Sequence, residues 1–219
     1  MSRNDGLTRR SVVGGLLGGA VLSASGRASA ASLMATPFQN QGPFYPMELP
    51  LDRDNDLVQV TGRPTRAAGE LVHLFGRVLD TSGGTISDAK VEIWQCDSKG
   101  RYHHPRDFNG PADPDFQGYG TTLSDHAGAW RFRTIKPVPY TGRTPHIHFI
   151  VSVPGAPRLT TQMYLKGHPQ NNGDHLFQSL GSQRLQASVS VAFKPAPKIA
   201  PGVQAGNFDI VIGGNTSAG

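Results

Sequence analysis

Cysteine is almost missing from this 219-residue chain, where Cys96 stands alone. A single cysteine closes no intrachain disulfide, and there is no Cys-x-x-Cys pair for zinc or redox work. Cys96 falls within KVEIWQCD, a run of strand character, and a small buried hydrophobe is its expected role. Aromatic residues make up only 8% of the chain. A basic stripe with interleaved aromatics is lacking, so no nucleic-acid partner is expected. The formal charge of +5 does not argue otherwise. Arg3, Arg9, Arg10 and Arg27 lie in the first 30 residues against Asp5 alone, and 17 basic residues face 15 acidic ones in the rest. No apolar run is long enough to stay in a membrane. Internal repeats are absent, as is the strand–helix alternation of a parallel α/β fold. Asp107, Asp113 and Asp115 share a loop but lack the spacing of a calcium loop.

What is abundant is Gly, at 27 residues, and Pro, at 17. Together with the chain length, this composition fits one turn-rich, all-β domain with a full core. Strand patterns cover Leu71–Asp80, 89–97, 118–124, Ala129–Ile135, the run after Pro145, Leu159–Leu165, 186–193 and 207–212. In Ala129–Ile135, Trp130, Phe132 and Thr134 share one face and Arg131 and Arg133 the other, as in a half-buried strand. Turns are expected at 80–84, 97–100 and 124–128, and a polar loop with one helical turn at 166–183. About eight short strands at this spacing predict a single β-sandwich or barrel over 70–219. A proline-punctuated, irregular segment, 31–69, leads into it.

Residues 1–30 have the character of an export signal. Arg9-Arg10 is a twin-arginine pair, VVGGLLGGAVLSASG is short and weakly apolar, and Ala28-Ser29-Ala30 offers a small-x-small cleavage site. Export by the twin-arginine route to the periplasm or beyond is expected. So is no membrane attachment once the signal is cleaved.

The stretch Lys136–Val153, KPVPYTGRTPHIHFIVSV, concentrates the chemistry. His146 and His148 alternate on a strand and so project from one face, within reach of one transition metal. Taken alone, His-x-His equally fits one packed and one solvated histidine. Two tyrosines bear on the choice. Tyr140 lies on the loop before the strand, and Tyr102 follows a turn in DSKGRYHH. A phenol, with its ordinary pKa of about 10, ionises near neutrality only beside a strong cation, and Fe(III) is one. Arg143, three positions before His146, is suited to meet negative charge on a bound ligand. The alternative for Arg143 is a surface ion pair.

These residues resemble the signature of the intradiol ring-cleavage dioxygenases, protocatechuate 3,4-dioxygenase-like members in particular. The matching motifs are Gly100-Arg101-Tyr102, Pro137-Val138-Pro139-Tyr140 and Arg143-Thr144-Pro145-His146-Ile147-His148. The resemblance implies an immunoglobulin/prealbumin-like β-sandwich holding non-haem Fe(III) on Tyr102, Tyr140, His146 and His148. It places Arg143 over the substrate, makes one tyrosinate a base, with Tyr140 among the catalytic residues, and sets Gln162, in LTTQMYL, behind the ligands. It further implies cleavage of a catechol-type aromatic diol by O2, between its two hydroxyl-bearing carbons, to a cis,cis-muconate, without an organic cofactor. A homo-oligomer is compatible with that reading. The loop from Tyr140 to Arg143 is shorter than in the protocatechuate enzymes. The N-terminal helical segment of the catechol and hydroxyquinol enzymes has no counterpart in the sequence. GPFYP at 42–46 is similar to the segment before the sandwich in the protocatechuate branch, with Tyr45 expected to pack. His103, His104, His126, His168 and His175 are not expected to bind metal, and His103 and His104 are expected to be solvated. Two other classes remain open on the residues: a different His-x-His metalloenzyme, such as a zinc enzyme, and an exported, non-catalytic binding sandwich.

Overall fold

Leu71–Asp80 (β1) alternates as its sequence predicts, burying Val72, Leu74 and Val78. Its partner Ala129–Ile135 (β4) buries Trp130, Phe132 and Thr134 while Arg131 stays exposed. The two pair antiparallel over Leu71–Arg77. Residues 32–213 are described by a computed structural model of the chain. The export signal expected over residues 1–30 lies outside the described residues.

The remaining strands are Lys90–Trp94 (β2), Tyr119–Leu123 (β3), His146–Ser152 (β5), Leu159–Leu165 (β6), Ser190–Val191 (β7), Lys194–Pro195 (β8), Gln204–Asn207 (β9) and Ile210–Ile212 (β10). They form two mixed sheets of five strands each. One is built on β1, with β4 on one edge and β9, β10 and then β8 on the other. The other runs β3-β2-β5-β6-β7. Helices are short: Pro169–Asn172 is a 3₁₀ turn, followed by His175–Gln178 (α1) and Gln183–Ser188 (α2). No helix among the described residues is long and apolar enough to cross a membrane.

Between the sheets lies one apolar core, in which Trp130 and Phe208 pack edge-on to Phe149. Burying each such side chain contributes about 1.5–3 kcal/mol. In β1, Gly76 has no room for a side chain, because a Cβ there would run into the Phe208 carbonyl and the Trp130 ring.

Two expected strands differ. The stretch 186–193 was expected to be extended, yet 183–188 is helical and only Ser190–Val191 pairs. Ser182 caps that helix by accepting from the Leu185 N–H at 3.2 Å, ahead of Gln, Arg, Leu and Ala, all good helix formers. The stretch 207–212 is split in two. Between β9 and β10 the Asp209 side chain takes the Arg77 N–H at 2.9 Å, in place of a main-chain carbonyl.

Strand β5 departs from simple alternation in a way that places the site. His146 to Val151 are all buried. Ile147, Phe149 and Val151 face the core, whereas Ile150 joins a second cluster with Trp94, Cys96, Tyr102 and Tyr119. His146 and His148 share the Ile150 face by the two-residue period. Loops cover that face.

Candidate metal centre

Register sets the first part of the site. His148 lies opposite Trp94 of β2 and Gln162 of β6, and His146 lies opposite Tyr164. Residues paired this way share a face. Pro145 precedes the strand and Thr144 turns its carbonyl onto His146, which donates from Nδ1 at 2.7 Å. A carbonyl only accepts, so Nδ1 carries the proton and Nε2 keeps its lone pair. The two histidine Nε2 atoms lie 3.1 Å apart. That spacing is short enough for both nitrogens to reach one ion at the usual metal–nitrogen distance of about 2.1 Å.

Turns supply the tyrosines. Asp97 closes the turn before Tyr102 by accepting from Lys99 N at 2.8 Å and Arg101 N at 3.0 Å. Gly100 has φ +76°, and a Cβ on it would meet Tyr140 Cβ and the Pro139 carbonyl at 3.1 Å. The missing side chain lets the two tyrosine-bearing loops touch. Tyr140 begins a second tight turn, with Gly142 at φ +75° and Arg143 N donating to Tyr140 O at 2.8 Å.

Tyr102, Tyr140, His146 and His148 then close into a ring of neighbours. Successive ring centroids are 5.3 Å (Tyr102–Tyr140), 5.4 Å (Tyr140–His146), 4.7 Å (His146–His148) and 6.3 Å (His148–Tyr102). The Tyr102 hydroxyl and His148 Nδ1 are buried and have no hydrogen-bond partner. His148 is held by stacking instead, its ring parallel to the Trp94 indole within 7° at 4.7 Å. Phe44 stacks on Tyr102 at 4.7 Å. Gly42 leaves so little space that a Cβ would approach His148 Cε1 at 3.1 Å.

Electrostatics suit a cation. Burial, reinforced by Arg143, pulls the His146 imidazole down to about 3. Burial and then His146 hold His148 well below its usual range. Both rings are therefore neutral and ready to ligate. Burial pushes the Tyr102 phenol well up, and Tyr140 adds to the push. Burial also raises Tyr140, against the pull of Arg143. The protein alone keeps both phenols protonated, and only a strong cation would ionise them. Among the described residues there is no cluster of three or more His, Cys, Asp or Glu to hold a metal without the tyrosines. Once ionised by such a cation, the two phenol oxygens would join the two neutral nitrogens in a hard, charged set of the kind that fits Fe(III).

Arg143 and Gln162 are also brought to the ring. Arg143 Nη2 donates to Gln162 Oε1 at 2.7 Å, and its Nε to Asp174 Oδ2 at 2.8 Å. The alternative of a surface ion pair is ruled out, since the Asp174 side chain is fully buried and that of Arg143 is 10% exposed. Tyr164 donates to Gln39 at 2.7 Å, and Gln39 reaches back to the Gln162 carbonyl at 3.0 Å. Gln162 Nε2 donates to Asn40 O at 2.8 Å.

Some neighbours were not expected. Asp174, Tyr164 and Trp94 escape sequence reasoning because they come from separate strands and loops, and Phe44, within the 42–46 segment singled out from sequence, had no expected place at the site. The one sequence signal for Asp174 is an acidic residue just before a short helix. His104 is a correction: it is buried, accepts from Arg106 N at 3.1 Å and packs edge-on to Phe44, because the loop folds inward there. His103 is exposed. Tyr45 packs as expected, edge-on to Trp94, with its hydroxyl on buried Glu92 at 3.0 Å. Cys96 is buried and free.

A family model described as Dioxygenase matches residues 40–214. The protocatechuate 3,4-dioxygenase beta chain of Burkholderia cepacia is 39% identical over 136 residues, 57% of each chain. A catechol 1,2-dioxygenase of Candida albicans is 31% identical over 62% of this chain and 49% of its own. This chain thus spans about half the length of the curated relatives it matches. Among solved structures, the dioxygenase domain of a dioxygenase carbohydrate-binding protein fusion from Streptomyces sp. SirexAA-E superposes with a TM-score of 0.64. It is 28% identical, over 83% of this chain and all of that one.

Proposed function

The chain belongs to the intradiol ring-cleavage dioxygenase family, and on that premise we propose that it is a non-haem Fe(III)-dependent enzyme. It inserts O2 between the two hydroxyl-bearing carbons of a catechol-type diol and releases a cis,cis-muconate. The frame is read as the immunoglobulin/prealbumin-like sandwich that the family resemblance implies. The observation that carries the reading is the closed ring of Tyr102, Tyr140, His146 and His148, with the buried Tyr102 hydroxyl unpartnered.

Bound there, ferric iron would draw electron density from the diol so that its ring reacts directly with dioxygen. The chain's own groups do the rest. His146 Nε2 and His148 Nε2 supply neutral donors, and the two tyrosine oxygens supply anionic ones. Tyr140, at the more open side of the ring, takes a proton on its Oη as the diol ionises, a general-base role. Arg143 presents fixed positive charge to the ionised diol, which water would meet only by reorganising. The covering segment 39–45 and the Trp94 stack keep bulk water from the ligands. The chain is proposed to act after twin-arginine export, free of the membrane, on small aromatic diols and O2.

The test is purification of the full chain with iron, followed by metal analysis, a visible spectrum and oxygen uptake over a panel of catechols. Expected are about one iron per chain, a red-to-brown tyrosinate band and a cis,cis-muconate product. A colourless zinc protein would support the other metalloenzyme class, and a metal-free, inert protein a binding sandwich.

A further inference from the structure

Arg143 has a long side chain and follows a two-residue turn, so its own backbone does not fix where the guanidinium points. Freezing such a side chain costs about 2 kcal/mol of rotamer entropy unless partners hold it. Two partners do. Gln162 Oε1 takes Nη2 at 2.7 Å and Asp174 Oδ2 takes Nε at 2.8 Å, so the planar group is pinned through two of its three nitrogens. Asp174 is itself immobilised. Its Oδ1 accepts from Phe177 N at 2.9 Å and caps α1, while Oδ2 also accepts from Thr144 N at 2.9 Å. Thr144 is the residue whose carbonyl orients His146. The carboxylate is therefore a fixed point between a helix, the arginine and the start of β5.

We propose that Asp174 is a positioning residue that aims Arg143 at the diol, and so controls substrate affinity and turnover without touching substrate or metal. It rests on the ferric reading above. A carboxylate at this place does two things that the glutamine cannot. It neutralises the buried cation, and it grips Nε, the nitrogen nearest the side-chain stem, which sets the tilt of the guanidinium plane. A one-ångström error at such a group costs about a hundredfold in rate.

The experiment is a mutant cycle in the iron-loaded full chain. Asp174→Ser keeps an N-cap oxygen for Phe177 N but is too short to reach Arg143. It is made alone and in an Arg143→Ala background. The readouts are iron content, the resting tyrosinate band, anaerobic catechol affinity from the shift of that band, and kcat/KM. Alone, Asp174→Ser is expected to keep iron bound, with the resting band moved at most slightly through the lost contact to Thr144 N. It should weaken catechol affinity and lower kcat/KM by about 10- to 100-fold. On Arg143→Ala it should change catechol affinity by less than about twofold, because the two side chains act as one unit. Equal losses in both backgrounds, or none in either, overturn the proposal and make Asp174 a structural cap. Should the serine variant not fold, the same cycle with the near-isosteric Asp174→Asn decides by the same criteria. A colourless wild type that consumes no oxygen sinks the ferric reading, and this proposal with it. A coloured, active wild type with uncoupled Asp174 variants sinks this proposal alone.

Discussion

At the scale of single residues, the Tyr102 hydroxyl is the atom that most needs explaining. It is buried with only the Tyr140 phenol beside it and no hydrogen bond of ordinary geometry, and a buried polar group left so costs up to about 1–3 kcal/mol. The proposed metal site would explain it, because a bound ion would become the partner. Removing that hydroxyl should therefore separate stability from function. Tyr102→Phe is expected to keep or slightly raise the melting temperature of the metal-free protein. In the iron-loaded protein it should shift or bleach the visible band and cut oxygen uptake at least 100-fold. Differential scanning calorimetry and a visible spectrum check both halves, and a variant that melts earlier with its colour intact contradicts the assignment. Tyr140→Phe should likewise bleach the band. Cys96 offers a contrast. Burial pushes its thiol up to about 12, with Asp97 adding to the shift. A thiol reagent at pH 8 should leave the native protein unlabelled and label one cysteine per chain after denaturation.

Among the elements, turns and strand pairing do different work. Residues 146–152 could be read from sequence as a strand, and with them the shared face of His146 and His148. The stacking of Trp94 on His148 could not, because it depends on which residue of β2 stands opposite. Local sequence can also mislead. The stretch 186–193 carried strand-like residues, yet the Ser182 cap and its followers made its first part helical. The turn at Gly100 shows the coupling between elements. Gly100→Ala forces a side chain into a positive-φ position and against Tyr140. It should cost about 1–2 kcal/mol of stability from the backbone alone. It should also lower iron occupancy, since the two tyrosine loops are pushed apart. Urea denaturation and metal analysis test this, and full occupancy would show that the loops do not depend on their close approach.

For the whole molecule, the site is the place where one sheet face is closed over by loops rather than by the other sheet. Its burial has a consequence for acid stability. The His146 imidazole titrates near 3 in the folded protein against 6.5 ordinarily, and His148 is depressed too. Between those values the unfolded chain binds more protons than the folded one, so folding stability falls as pH drops from about 6.5 towards 3. It is unaffected by these two groups above about 7. The metal-free protein should show this fall in a series of melts, and His146→Gln should make it shallower, leaving the part due to His148. An equally steep fall in that variant would place the acid sensitivity elsewhere.

The linear sequence was enough to set the chemistry available: two phenols, a His-x-His strand and an arginine in fixed order, on a turn-rich all-β chain with no disulfide. Those follow from residue type and from short-range periodicity, which are local properties. Folding decided the partners. That Asp174 grips Arg143, that Trp94 braces His148, that His104 turns inward and that Gly42 and Phe44 lie against His148 and Tyr102 all depend on contacts between distant segments. Such contacts are fixed by sheet register and core packing, and no local pattern encodes them.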